Sequence, residues 1–179
     1  AMASSSVFTI TVEGKGGHAA KPHLAIDSVL VASSIVTNLQ HIASRNLDPL
    51  ESLVISICMF HAGHAGNVLP QIAELTGTVR TLKPEVRDLA EKRIIEVVEA
   101  TGKLFGAQAT ARYKRDYPIT RNHPRQAEFA CAIASEISGK DKVERNLSPV
   151  MGGEDFSFML EQRPGAFVFF GNGNSAPVH

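Results

Sequence analysis

Neither sign of charge is in excess in this 179-residue chain: Lys+Arg and Asp+Glu both number 18, so the formal net charge is zero. That balance excludes the basic surplus of a nucleic-acid-binding domain. The one local surplus, eight basic against five acidic side chains over residues 83–115, is too mild for a phosphate-binding stripe. No run of about 18 uncharged apolar residues occurs, and so no membrane helix is expected. Only two cysteines are present, Cys58 and Cys131, too few for a disulfide framework. Both lie in apolar stretches and are expected to be small buried hydrophobes in a reducing compartment, the cytoplasm. The opening Ala-Met-Ala-Ser-Ser-Ser lacks the basic start and apolar stretch of a secretory leader. Nucleophile signatures are missing too. There is no Gly-x-Ser-x-Gly, and Gly14-x-Gly16 lacks the third glycine and the helix of a dinucleotide site.

What is there suits a globular chain: 44% of residues are hydrophobic and 20% charged, too apolar for disorder. Over residues 7–13, Phe8, Ile10 and Val12 alternate with Thr9, Thr11 and Glu13, the period of a half-buried strand. A helical stripe follows over residues 25–45. Residues 53–60 read as a strand apolar on both faces, expected to be central in its sheet. Residues 61–70 read as a connection, and residues 73–81 alternate again as a strand. Pro84 occupies a first helical position, and the helix is expected to reach Leu104, with Gly102 and Gly106 as stop signals. Residues 107–117 form the last strand of this group. The order β-α-β-β-α-β predicts a ferredoxin-like α/β (α+β) unit, an antiparallel four-stranded sheet covered on one face by two helices. It spans residues 7–117, enough to bury a core alone. Residues 118–179 hold a helix over 125–138, a short helix near 154–162 and a strand over 166–170, whose run Phe167-Val168-Phe169-Phe170 predicts burial on both faces. So little structure is expected to be part of a larger α/β domain in a longer polypeptide.

Four constellations carry candidate chemistry. In Gly16-Gly17-His18-Ala19-Ala20, the glycines let backbone approach a ligand beside an imidazole on an exposed rim; spacing alone fits equally a glycine-rich loop with an incidental histidine. In His61-Ala62-Gly63-His64-Ala65-Gly66-Asn67-Val68-Leu69-Pro70, the two histidines make a weak metal signal without a nearby carboxylate or cysteine. Asn67 either faces something polar or caps a turn. In Thr78-Val79-Arg80-Thr81, alternation puts Arg80 on the face away from Leu75 and Val79. There it can bind a carboxylate through two parallel hydrogen bonds or form a surface ion pair with a neighbour such as Glu74. Met151-Gly152-Gly153-Glu154-Asp155-Phe156 offers exposed amides and acids at a helix start, fit for substrate contact or for plain helix-terminal charging. His179 alone carries no signal.

Taken in order, Val12-Glu13-Gly14-Lys15-Gly16-Gly17-His18-Ala19-Ala20-Lys21-Pro22-His23, Gly66-Asn67-Val68-Leu69-Pro70, Gly77-Thr78-Val79-Arg80-Thr81 and Gly152-Gly153-Glu154-Asp155-Phe156 resemble the M20 family of metal-dependent amidohydrolases and peptidases. Within it, they are most similar to the branch of hippurate hydrolases and N-acyl-amino-acid amidohydrolases. The resemblance covers essentially the whole chain. It implies that residues 7–117 are a lid, or dimerisation, domain and residues 118–179 the final part of the catalytic domain. A homodimer through the lid is implied, together with hydrolysis of N-acyl amino acids or small peptides. A divalent metal (zinc, manganese, cobalt or nickel) is implied in the parent protein. This chain is expected not to bind it and to be inactive alone, since the family's glutamate base and most metal ligands have no match here. By resemblance, His18 reaches the partner subunit's site and holds the oxyanion, and Asn67 contacts substrate across the dimer. Arg80 holds the substrate carboxylate, Gly152 and Gly153 line the pocket, and His179 is the last metal ligand. Gln71 departs from the acidic residue frequent in that branch. From the residues alone, a non-catalytic ferredoxin-like dimerisation or ligand-binding module remains the alternative.

Overall fold

The computed structural model describes residues 1–171. Alternating side chains build β1 (Ser4–Glu13), which is followed by a two-residue strand, β2 (Gly17–His18). Asp27 starts α1 (Ser28–Arg45) by accepting hydrogen bonds from the Val29 and Leu30 amides at 2.9 and 3.1 Å, which satisfies two of the helix's orphan donors. Then come β3 (Leu53–Ala62), a second two-residue strand, β4 (Val68–Leu69), and β5 (Ile72–Thr81). Pro84 opens α2 (Pro84–Leu104), and Gly106, at φ +73°, turns the chain into β6 (Gln108–Arg115). The helices α3 (Pro124–Ser138) and α4 (Phe156–Gln162) complete the described part.

The long strands form an antiparallel sheet in the order β3-β5-β1-β6, so the expected ferredoxin-like topology is realised. One sheet face packs on α1 and α2. Its core joins Phe8, Ile10, Val12, Leu75 and Val79 from the strands to Val31, Ile35, Leu39 and Ile42 of α1 and Ile94 and Val98 of α2. Each such side chain contributes about 1.5–3 kcal/mol by leaving water. Gly77 is required here, because a Cβ at that position would stand 2.2 Å from Phe8 Cζ. The opposite face carries Thr9, Thr11, Glu74, Thr76 and Arg80 and has no covering helix among the described residues. No helix among the described residues is long and apolar enough to cross a membrane.

Several expectations are corrected. The 53–60 segment is not central: β3 is an edge strand, with Val54, Met59 and Phe60 at 38–50% exposure. Continuous apolarity cannot separate a doubly buried strand from an edge whose outer face is free. Cys58, expected to be buried, is exposed on this strand, and Cys131 is half-buried. The 61–70 connection contains β4. The first strand starts at Ser4 rather than at residue 7, because buried serines find partners: Ser4 Oγ and Thr81 Oγ1 lie 2.7 Å apart, and Ser6 Oγ accepts from Arg87 Nε at 3.0 Å. Residues 166–170 form no strand. Val168, Phe169 and Phe170 are exposed, since no neighbouring strand among the described residues completes a ladder with them.

Candidate functional site

The first two constellations meet through the small ladder. Gly17 pairs with Leu69 and His18 with Val68, and the Ala19 amide donates to the Asn67 carbonyl at 3.0 Å. The loop is held to the sheet from beneath. Gly14 donates to Gln71 O at 2.8 Å, Lys15 and Ile26 exchange two backbone bonds at 2.9 Å, and Ser28 Oγ donates to Pro70 O at 2.8 Å. Gly14 is demanded by that closeness, because a Cβ there would lie 2.2 Å from Ile26 O. His18 and Asn67 thus lie one rung apart across the ladder, both on an exposed rim. Asn67 makes no side-chain hydrogen bond among the described residues, so its amide is left for an outside partner.

The His18 ring has a set orientation. The Ala20 amide donates to Nδ1 at 3.1 Å, and a peptide N–H can only donate. Nδ1 is therefore the acceptor, and in the neutral imidazole Nε2 carries the proton. The tip of the side chain is a hydrogen-bond donor without needing to be charged.

The other two constellations meet at the opposite end of the sheet. Arg80 lies on the uncovered face and donates from Nη1 to Ser5 Oγ at 2.7 Å and to Val79 O at 3.1 Å. The expected alternative, an ion pair with Glu74, is not formed. Its Nε and second terminal nitrogen meet no acceptor among the described residues, which leaves one edge of the guanidinium fork free for a carboxylate. Gly153 packs against the same serine: a Cβ on Gly153 would be 3.1 Å from Ser5 Cβ and 3.4 Å from Tyr117 Cδ2. Gly152 lies beside Met2, which bridges to both Thr120 and Val150. Glu154 and Asp155 precede α4 without a side-chain cap of good geometry. Ser5 belongs to this group, and the expected strand, starting at residue 7, left it out. Its signal was the continuation of the strand period through three small residues able to bond from a buried position.

Ser5 and Glu13 lie eight residues apart, near the two ends of β1. At about 3.4 Å per residue the two groups are therefore separated by roughly 27 Å along the strand. His61 and His64 are exposed, and among the described residues no group of three or more His, Cys, Asp or Glu side chains is placed to hold a metal. His179 lies outside the described residues.

Comparison with known proteins agrees with this architecture. The M20_dimer family model, a peptidase dimerisation domain, matches residues 4–104. The hippurate hydrolase of Campylobacter jejuni is 37% identical over 178 residues, covering 99% of this chain and 46% of that protein. An N-acetyldiaminopimelate deacetylase of Bacillus pumilus is 39% identical over 177 residues, again 99% against 46%. Among solved structures, the Bacillus subtilis YXEP protein, a dinuclear metal binding peptidase from the M20 family, superposes with a TM-score of 0.68 at 32% identity. That match covers 92% of this chain and 39% of that one. The chain spans less than half the length of the relatives it matches.

Proposed function

Since the chain belongs to the M20 peptidase dimerisation-domain family, we propose that its parent protein is a metal-dependent amidohydrolase acting on N-acyl amino acids or small peptides. In this reading residues 7–117 are the lid through which two subunits pair, and residues 118–179 close the catalytic domain. The observation that carries it is the separation of the two groups. His18 and Asn67 sit at one end of the sheet, Arg80 and Gly153 at the other, about 27 Å apart. Residues so far apart serve one small substrate only if they come from different subunits.

The roles follow from the groups. Arg80 offers its free edge to the substrate carboxylate, beside the Gly152-Gly153 turn. His18 of the partner donates from Nε2 to the oxyanion that forms as the acyl carbon becomes tetrahedral, a stabilisation that strengthens as charge develops. Asn67 donates its amide beside it. A divalent metal, in the family zinc, manganese, cobalt or nickel, belongs to the parent in this reading, with His179 as one ligand. It would polarise the acyl carbonyl and activate water. The described residues contain no ligand cluster for it. Pairing has a suitable surface in the β3 edge, ten residues long and carrying exposed Met59 and Val54, an arrangement open to strand addition. Beside it, α1 has no charged side chain between Ser28 and Ser44. The free, exposed Cys58 thiol suits a reducing cytoplasm.

The test is subunit complementation in the full-length parent. His18→Ala and Arg80→Ala are each expected to lower kcat/KM by about 10² or more. Mixed and allowed to exchange, the two inactive variants regain about a quarter of wild-type activity, because half of the dimers are mixed and each has one intact site. Two variants that stay inactive after proven exchange sink the in-trans assignment. Hydrolysis of an N-acyl amino acid by the 179-residue chain alone would overturn the division of labour between the two regions.

A further inference from the structure

Arg87 is anomalous. It lies in the first turn of α2 at 9% exposure, and arginine is rarely so buried without a carboxylate. Its hydrogen bonds go only to neutral oxygens, Nε to Ser6 Oγ at 3.0 Å and Nη2 to Ser5 O at 2.9 Å. It forms no ion pair among the described residues. Arg115 next to it differs: Glu91 at 2.5 Å and Asp88 at 2.7 Å meet its charge. Burial pushes the Arg87 pKa down, the direction expected of a cation short of a counter-ion.

Arg87 lines a cavity of about 290 Å³ together with Arg115 and Arg121, walled by Pro84, Pro118 and Ile119, with Glu161 of α4 on its border. Arg121 is exposed and likewise has no ion-pair or hydrogen-bond partner among the described residues. With Arg115 neutralised, two arginines without an ion-pair partner among the described residues line the space against one glutamate. At about 30 Å³ per water the volume equals roughly ten waters, room for a small organic molecule rather than a single ion. The cavity lies on the helix side of the sheet, whereas Arg80 lies on the uncovered side.

We infer that this cavity binds a free α-amino acid, its carboxylate on Arg87 and Arg121, its ammonium on Glu161 and its side chain against Pro84, Pro118 and Ile119. Charge pattern and wall chemistry all enter this assignment. A plain anion would leave Glu161 opposed, and an N-acylated amino acid has no ammonium for it. The inference does not depend on the hydrolytic reading, because binding is measured without turnover.

The experiment is an amide NMR titration of the chain with L-leucine, N-acetyl-L-leucine and inorganic phosphate. Leucine is expected to shift Arg87, Ile119, Arg121 and Glu161 saturably. The other two should bind about tenfold more weakly, the worth of one charge-assisted hydrogen bond. Glu161→Gln, at an exposed site, should abolish the preference for leucine over N-acetyl-leucine. Arg121→Ala, also exposed, should weaken both about tenfold. Calorimetry on the full-length parent should show leucine heat that Arg121→Ala removes. The inference falls if leucine gives no saturable shift at these residues, or if N-acetyl-leucine binds the unsubstituted chain as tightly. It also falls if Glu161→Gln keeps the preference, or if the parent shows no Arg121-dependent heat because its own side chains fill the cavity.

Discussion

Helices α1 and α3 have the same amphipathic design and opposite fates. In α1, Val31, Ile35, Leu39 and Ile42 are 0–1% exposed beneath the sheet and α2. In α3, no residue is buried, and Phe129 and Ile137 stand at 69% and 82% exposure. The difference extends to their surroundings. Residues 4–115 enclose a continuous core from Phe8 to Ala109, while over 118–171 only Thr120, Ser157 and Leu160 are buried. A helical period thus specifies a face but not what covers it; burial needs a second layer. Phe158, Met159, Phe169 and Phe170 of the same region are exposed as well.

The strongest way to break this contrast is Phe8→Ala. Phe8 is fully buried, and its truncation is expected to cost about 3–5 kcal/mol in urea unfolding of the chain. A loss under about 1 kcal/mol would mean that the sheet region lacks the tight core described. Next is Ile137→Ala measured in two settings. In this chain the change is expected to stay within about 0.5 kcal/mol; in the full-length parent it should reach about 2 kcal/mol or more if that face is covered there. Equal small effects in both would show that α3 is built to face water. The smallest effect concerns Tyr113, whose buried hydroxyl has no hydrogen-bond partner among the described residues and whose pKa burial pushes up. Tyr113→Phe is expected to stabilise the chain by about 1 kcal/mol. The sign of the pH effect follows from linkage. Above the ordinary tyrosine value the unfolded chain loses its proton before the folded one, so Tyr113 costs stability as pH rises past about 10. Unfolding midpoints at rising pH should fall less steeply in the variant.

Much of the sheet region was legible because its information is local. Pro84 and Gly106 marked the two ends of α2, although Gly102 lies inside the helix rather than stopping it, and alternation around Phe8 and Leu75 marked two strands and their inner faces. The edge position of β3 was not legible, since strand order depends on crossovers that no window of sequence contains. Nor was the Gly17–His18 and Val68–Leu69 ladder, two residues on each side and too short for any period. The candidate site shows the same limit. Each motif was visible by itself, whereas the meeting of His18 with Asn67 rests on that ladder. The sharing of Ser5 by Arg80 and Gly153 rests on long-range pairing of β1 with β5.

Residue type and period therefore decided most helices and strands of the sheet region, which of their faces are apolar, and to which family the motifs belong. All of these depend on neighbours in the chain. The fold alone decided that two site groups lie at opposite ends of one sheet, that Arg87 is buried without a carboxylate, and that α3 faces outward. Those are properties of packing, set by residues far apart in the chain, such as Ser5 with Arg87 and Ser5 with Gly153, that touch only once the chain has closed on itself.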